Sequence, residues 1–129
     1  MITIDTNILV HFLINDHEKQ HQTAKQLFQD HHIYLSKTVL LETEWVLRGK
    51  FAFPRIMIAR ALQKAVMLST VTCEDSNTVL QALDLCMAGM DFADALHLMH
   101  TSKNSVFATF DKKLATKAKK ANIAVRLLL

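Results

Sequence analysis

Two glycines and one proline in 129 residues leave no material for a flexible linker, and no Gly/Ser-rich, repeated or low-complexity stretch divides the chain. We therefore read one domain over residues 1–129, with half its residues hydrophobic and enough chain to bury a core. Cysteine is equally scarce. Cys73 and Cys86 lack metal-type spacing and are too few for a disulfide framework, which points to a reducing cytoplasm. No basic leader precedes Asp5, and the apolar runs at 8–10 and 12–14 are split by His11 and closed by Asn15 and Asp16. Neither a signal peptide nor a membrane span is expected.

Other chemistries lack their residues. The chain has no Gly-rich phosphate loop, no cysteine cluster and no Gly-x-Ser-x-Gly elbow. The Asp-x-Asp of a haloacid-type phosphatase is replaced by Asp5-Thr6-Asn7, and the acidic pair and terminal lysine of a receiver domain are missing. What remains is acidic. Asp91 and Asp94 are three apart, so they share a face on a helix, and Asp111 closely follows an apolar run that reads as a strand. Two carboxylates ~4 Å apart repel by roughly 4 kcal/mol at an effective dielectric near 20, so acids gathered beside a core call for a cation. A divalent metal answers that need.

The net charge of +3 is unevenly spread. Residues 1–100 carry eight Lys/Arg against eleven Asp/Glu, whereas residues 101–129 carry seven against Asp111 alone. Lys112, Lys113 and Lys117 therefore read either as a solvated helix face or as a phosphate-attracting rim beside the acids.

Apolar spacing predicts strands at 2–5, 33–35, 71–73, 106–109 and 123–126. Helices are expected over 7–15, 17–30, 38–48, from about Pro54 to Val66, from Asp75 to Met87, around 91–98 and over 112–121. Gly49, in the left-handed conformation, is expected to stop the third helix, and Asp75 to cap the fifth. Strands alternating with helices imply parallel pairing, hence an α/β class: a three-layer α/β/α sandwich around a mostly parallel sheet of four to five strands. Ligands in such sheets lie beyond the carboxyl ends of the strands, where Asp5 and Asp111 both fall. Glu42 sits among Val39, Leu40, Leu41, Trp45, Val46 and Leu47, residues that want burial, and is expected to be enclosed by them, with Glu44 turned to solvent.

The opening Ile-Asp-Thr-Asn, the helical Glu42, the Asp-Phe-Ala-Asp-Ala-Leu-His stretch at 91–97 and the Ala-Thr-Phe-Asp at 108–111 together resemble the PIN domain, in particular VapC-type toxins of bacterial toxin–antitoxin pairs. The resemblance spans the chain in order. It implies a metal-dependent endoribonuclease whose acidic quartet Asp5, Glu42, Asp94 and Asp111 holds one or two Mg²⁺ or Mn²⁺ ions, with Asp91 as a fifth acid. Asn7 and Thr109 match polar positions beside the metal that orient carboxylates or water. It also implies an RNA substrate, a small antitoxin protein that blocks the site, and a homodimer.

Several alternatives stand beside these assignments. Asp5, Asp91 and Asp111 are each placed to cap a helix. His97, one turn after Asp94, either touches substrate or lies idle in solvent, and His17 and His21, four apart, read as surface residues rather than metal ligands. The apolar residues from Phe51 to Met67 either fill the core or await a partner. Two further functions stay open: a housekeeping nuclease without an antitoxin, and a silent RNA-binding or interaction module.

Overall fold

The computed structural model describes residues 1–101 and 103–129. Among them run five short strands and seven helices: β1 (Ile2–Thr3), α1 (Thr6–Leu13), α2 (Glu18–Asp30), β2 (Ile33–Leu35), α3 (Lys37–Gly49), α4 (Arg55–Val66), β3 (Val71–Cys73), α5 (Ser76–Met87), α6 (Phe92–Met99), β4 (Phe107–Thr109), α7 (Lys112–Lys120) and β5 (Val125–Leu127). All strand pairing is parallel, so the α/β class is as expected. The sheet is divided, however. β1, β2 and β3 form a three-stranded ladder in that order, and β4 pairs with β5 in a separate two-stranded one. Asp5 and Asp111 thus leave two different sheets.

The core follows from the apolar faces of the helices. Leu9 and Val10 of α1, Leu40 and Leu47 of α3, Ile58 and Leu62 of α4, Val79 and Leu83 of α5, Phe92 and Leu98 of α6 and Leu114 of α7 join Ile33 and Leu35 of β2 in one apolar cluster. Phe12 and Phe28 stack at 3.8 Å between ring centroids and fasten α1 to α2. No helix among the described residues is long and apolar enough to cross a membrane.

Three local expectations are corrected. Gly49 is the last residue of α3 rather than a left-handed stop; the chain reverses instead through Ala52, whose φ is 55°. Asp75 precedes α5 but its side chain makes no capping bond, because it pairs with Lys37 Nζ at 3.1 Å. Glu42 and Glu44 exchange roles. Glu42 is exposed, whereas Glu44 is only 2% exposed. Leu40, Thr43, Glu44 and Leu47 form the buried stripe at helical spacing, so the apolar residues flanking Glu42 in sequence lie around the helix from it.

A buried carboxylate requires a partner. Arg48, one turn later, donates to Glu44 through Nε at 2.8 Å and Nη2 at 3.2 Å. Arg48 Nη2 also lies 4.0 Å from Asp91 Oδ1, and Arg55 Nη2 reaches the same oxygen at 3.9 Å while Nη1 donates to the Gly89 carbonyl. This chain of charge ties α3, α4 and the start of α6 together.

Two stability changes follow. Leu83→Ala, at a position with no solvent exposure, is expected to lower the unfolding free energy by about 2–5 kcal/mol through lost contacts and a residual cavity. Arg48→Ala strands the Glu44 carboxylate and is expected to cost about 3 kcal/mol, the low end for a buried charge because Arg48 itself is partly solvated. Replacing Glu44 and Arg48 together by leucine should restore most of that loss. Urea unfolding measures all three, and a double variant no better than Arg48→Ala contradicts the account.

Candidate active site

Each candidate acid stands where a helix begins, apart from Glu42. Asp5, extended at φ −95° and ψ 178°, leaves β1 and accepts the Ile8 N–H on Oδ1 at 3.2 Å. Asp91 accepts the Asp94 N–H on Oδ2 at 3.2 Å, and Asp111 accepts the Leu114 N–H on Oδ1 at 3.1 Å. The capping role open to these three is therefore realised. It occupies one oxygen of each carboxylate, and a carboxylate has two. The second oxygen of Asp91 faces Arg48 and Arg55, whereas Asp5 and Asp111 are exposed to solvent.

Two groups of acids form. In the first, Thr6 Oγ1 donates to Glu42 Oε2 at 3.3 Å and links the head of α1, with Asp5 beside it, to the exposed face of α3. In the second, Asp94 in the first turn of α6 is half-buried among Asp91, His97, Asp111 and Lys117. Burial first, then the Asp91 and Asp111 carboxylates, pushes the Asp94 carboxyl above the ordinary aspartate range, against the opposing pull of His97 and Lys117. Helix α3 packs against both α1 and α6, so the two groups flank it.

Smaller residues hold these acids in place. The Asp111 N–H donates to Thr109 Oγ1 at 3.0 Å, which fixes the turn from β4 into α7. Asn7 lies exposed in the first turn of α1. His97 is exposed one turn beyond Asp94, and Lys112, Lys113 and Lys117 stand free of the core on α7. His17 accepts the Gln20 N–H as the cap of α2, and His21 Nδ1 lies 2.7 Å from the His11 carbonyl, so both serve structural bonds.

Sequence reasoning missed Thr6, whose hydroxyl reaches across to Glu42, and the Glu44–Arg48 pair. The latter was detectable as an acid and a base four apart with Glu44 in phase with Leu40 and Leu47. Also unforeseen is a groove of about 990 Å³ between α1 and α2, which runs from Asp5 and Asn7 past His11 to His17 over a floor of Ile8, Ala24 and Leu27.

The donors suit a hard divalent cation in kind, being carboxylate oxygens with raised mutual repulsion at Asp94. In position they are not yet a cage: among the described residues no three His, Cys, Asp or Glu side chains converge on a common point. Asp5 and Asp111, turned to their own helices, account for part of that spread.

Compared with known proteins, residues 2–120 match the family model of the PIN domain. No curated protein and no solved structure matches the chain. The matched span runs from β1 to the end of α7 and includes every acid described above. PIN domains are generally nucleases that act on nucleic acid with divalent metal ions. With its match over nearly the whole chain, parallel strands between helices and acids at the helix heads, this chain belongs to the PIN domain family.

Proposed function

We propose that this chain is a metal-dependent endoribonuclease that hydrolyses RNA phosphodiester bonds, and that it is the toxin of a VapC-type toxin–antitoxin pair acting in the cytoplasm. The observation that carries the nuclease reading is the Asp94 neighbourhood, where the half-buried Asp94 at the head of α6 feels the carboxylates of Asp91 and Asp111 together with Lys117. Arg48 and Arg55 pair with Asp91, and Lys112, Lys113 and Lys117 stand exposed on α7. That pattern suits a bridging cation inside and a polyanion outside.

Asp5, Glu42, Asp94 and Asp111 would hold one or two Mg²⁺ or Mn²⁺ ions, with Asp91 confined to orienting α6 through its cap and its arginines. A bound divalent cation supplies an acidified water and neutralises charge on the phosphate oxygens. The residues of the chain do the rest. Thr6 fixes the Glu42 carboxylate, Thr109 fixes the Asp111 turn, and Asn7 offers an amide beside Asp5. One of these carboxylates would take the proton released by the attacking water. Attack in line with the 3′-oxygen leaves a 5′-phosphate and a 3′-hydroxyl. Lys112, Lys113 and Lys117 bind flanking phosphates, and His97 lies close enough to Asp94 to meet the substrate.

The antitoxin and a second copy of the chain are supported by exposed apolar surface. Ile56, Met57 and Leu68 are 48%, 54% and 38% exposed and line a groove of about 680 Å³ with Phe12, Leu13 and Arg60. Ile58, Leu62 and Val66, from the same helical segment, fill the core instead. A neighbouring reading frame that encodes a small DNA-binding protein separates the toxin from a housekeeping nuclease. Incubation of total RNA with Mg²⁺, Mn²⁺ or chelator separates either enzyme from a silent binding module.

Asp94→Asn is expected to abolish cleavage, and cleavage at the wild-type rate would sink the assignment. The same variant has a signed effect on stability. Because the folded Asp94 carboxyl titrates above its unfolded value, the folded state holds more protons in that window, and stability falls as pH rises through it. In chelator at neutral pH, Asp94→Asn should therefore melt higher than wild type, with the gap closing toward acid. A lower melting temperature at neutral pH contradicts the repulsion argument. Replacing Lys112, Lys113 and Lys117 by alanine should weaken RNA binding and shrink the slope of log K against log salt by roughly 0.7 per lysine. Unchanged binding would return α7 to a solvated face.

A further inference from the structure

Six of the seven phenylalanines lie in the core or pack against it, yet Phe110 is 74% exposed. Its exposure is built into the backbone. In β4 Phe107 and Thr109 are half-buried and Ala108 is exposed, and Phe110 follows in the bend that leads into α7. The segment is held on both sides of the ring: Leu128 N–H donates to the Thr109 carbonyl at 2.8 Å, and Asp111 caps α7. A large apolar ring is thus fixed in water between β4 and α7. Directly after it come Asp111, Lys112 and Lys113.

A second exposed aromatic has a similar place. Trp45 is 66% exposed on α3, three residues after the exposed Glu42. Both aromatics therefore lie within a turn of a candidate acid, one in each of the two acidic groups.

We propose that Phe110 is a base-stacking residue, assisted by Trp45, that holds an unpaired base of the RNA strand beside the acids. The proposal rests on the nuclease reading for its substrate. An aromatic face in a basic setting is the arrangement that binds unpaired bases, because every base offers a π face while its phosphates meet the lysines. A duplex keeps its bases stacked on one another and offers the ring nothing. A protein partner is the competing occupant, since interfaces are rich in aromatics and Leu127 and Leu128 beside Thr109 are also partly exposed; against it, interface cores are poor in lysine, and Phe110 is followed within seven residues by Lys112, Lys113 and Lys117.

Trp45 is the sole tryptophan, so its fluorescence reports binding without turnover. Full-length protein in chelator is titrated with single-stranded oligouridylate, oligoadenylate and a blunt RNA duplex, with labelled-oligonucleotide anisotropy alongside. Single strands should quench Trp45 and the duplex should not. Phe110→Ala should weaken single-strand binding roughly ten- to a hundredfold, as loss of one stacked base does. Phe110→Tyr should retain it, and neither change should move the melting temperature, since the ring is outside the core. Equal loss of single-strand and duplex binding in Phe110→Ala, or no loss, overturns the proposal. So does a drop in sedimentation mass, which would make Phe110 a protein contact. A protein that cuts RNA but ignores Phe110→Ala refutes this inference alone; one that binds single strands through Phe110 and never cuts them refutes the nuclease reading alone.

Discussion

The first N–H groups of a helix have no carbonyl within the helix to bond, and in this chain the groups that answer them are mostly acids. Asp5, Asp91 and Asp111 begin α1, α6 and α7, and each gives one carboxylate oxygen to an N–H three residues on. The positive end of the helix dipole stabilises the charge it attracts. Local folding thus places charged oxygens at the helix heads before any ligand is present. The same requirement explains why acids can stand beside a core as apolar as this one.

Capping alone would leave the helices free to slide. The Glu44–Arg48–Asp91–Arg55 chain prevents that by crossing α3, α4 and the start of α6. It has a consequence for the exposed acid on α3. With Glu44 committed to the buried stripe, Glu42 stands on another face of the same helix, where Thr6 can reach it from α1. The buried stripe through Leu40, Thr43, Glu44 and Leu47, with Arg48 answering the Glu44 charge, is what presents Glu42 outward.

Much of this was legible in the sequence because it is local. β2 and β3 lie where β-rich runs bounded by turn residues placed them, and the helices begin and end within a residue or two of the expected positions. The roles of Glu42 and Glu44 were misread because sequence neighbours of Glu42 were taken as its surroundings. Periodicity through Leu40, Thr43, Glu44 and Leu47 carried the correct answer. The turn at Ala52 and the diversion of Asp75 to Lys37 depend on elements far apart in sequence, as does the division of the sheet into three and two strands. Nothing local encodes those. The groove between α1 and α2 was hidden for the same reason, since it exists only once Phe12 and Phe28 have stacked.

Exposure divides the acids by what they can do. Asp5, Glu42 and Asp111 face water, which solvates their charge. Asp94 is the half-buried member, and burial together with the two neighbouring carboxylates makes its charge the least tolerated. Positive charge arriving at this point relieves desolvation and repulsion at once, whereas the same charge beside a solvated acid gains little. Of these acids, Asp94 is therefore the one whose surroundings would gain most from a nearby positive charge.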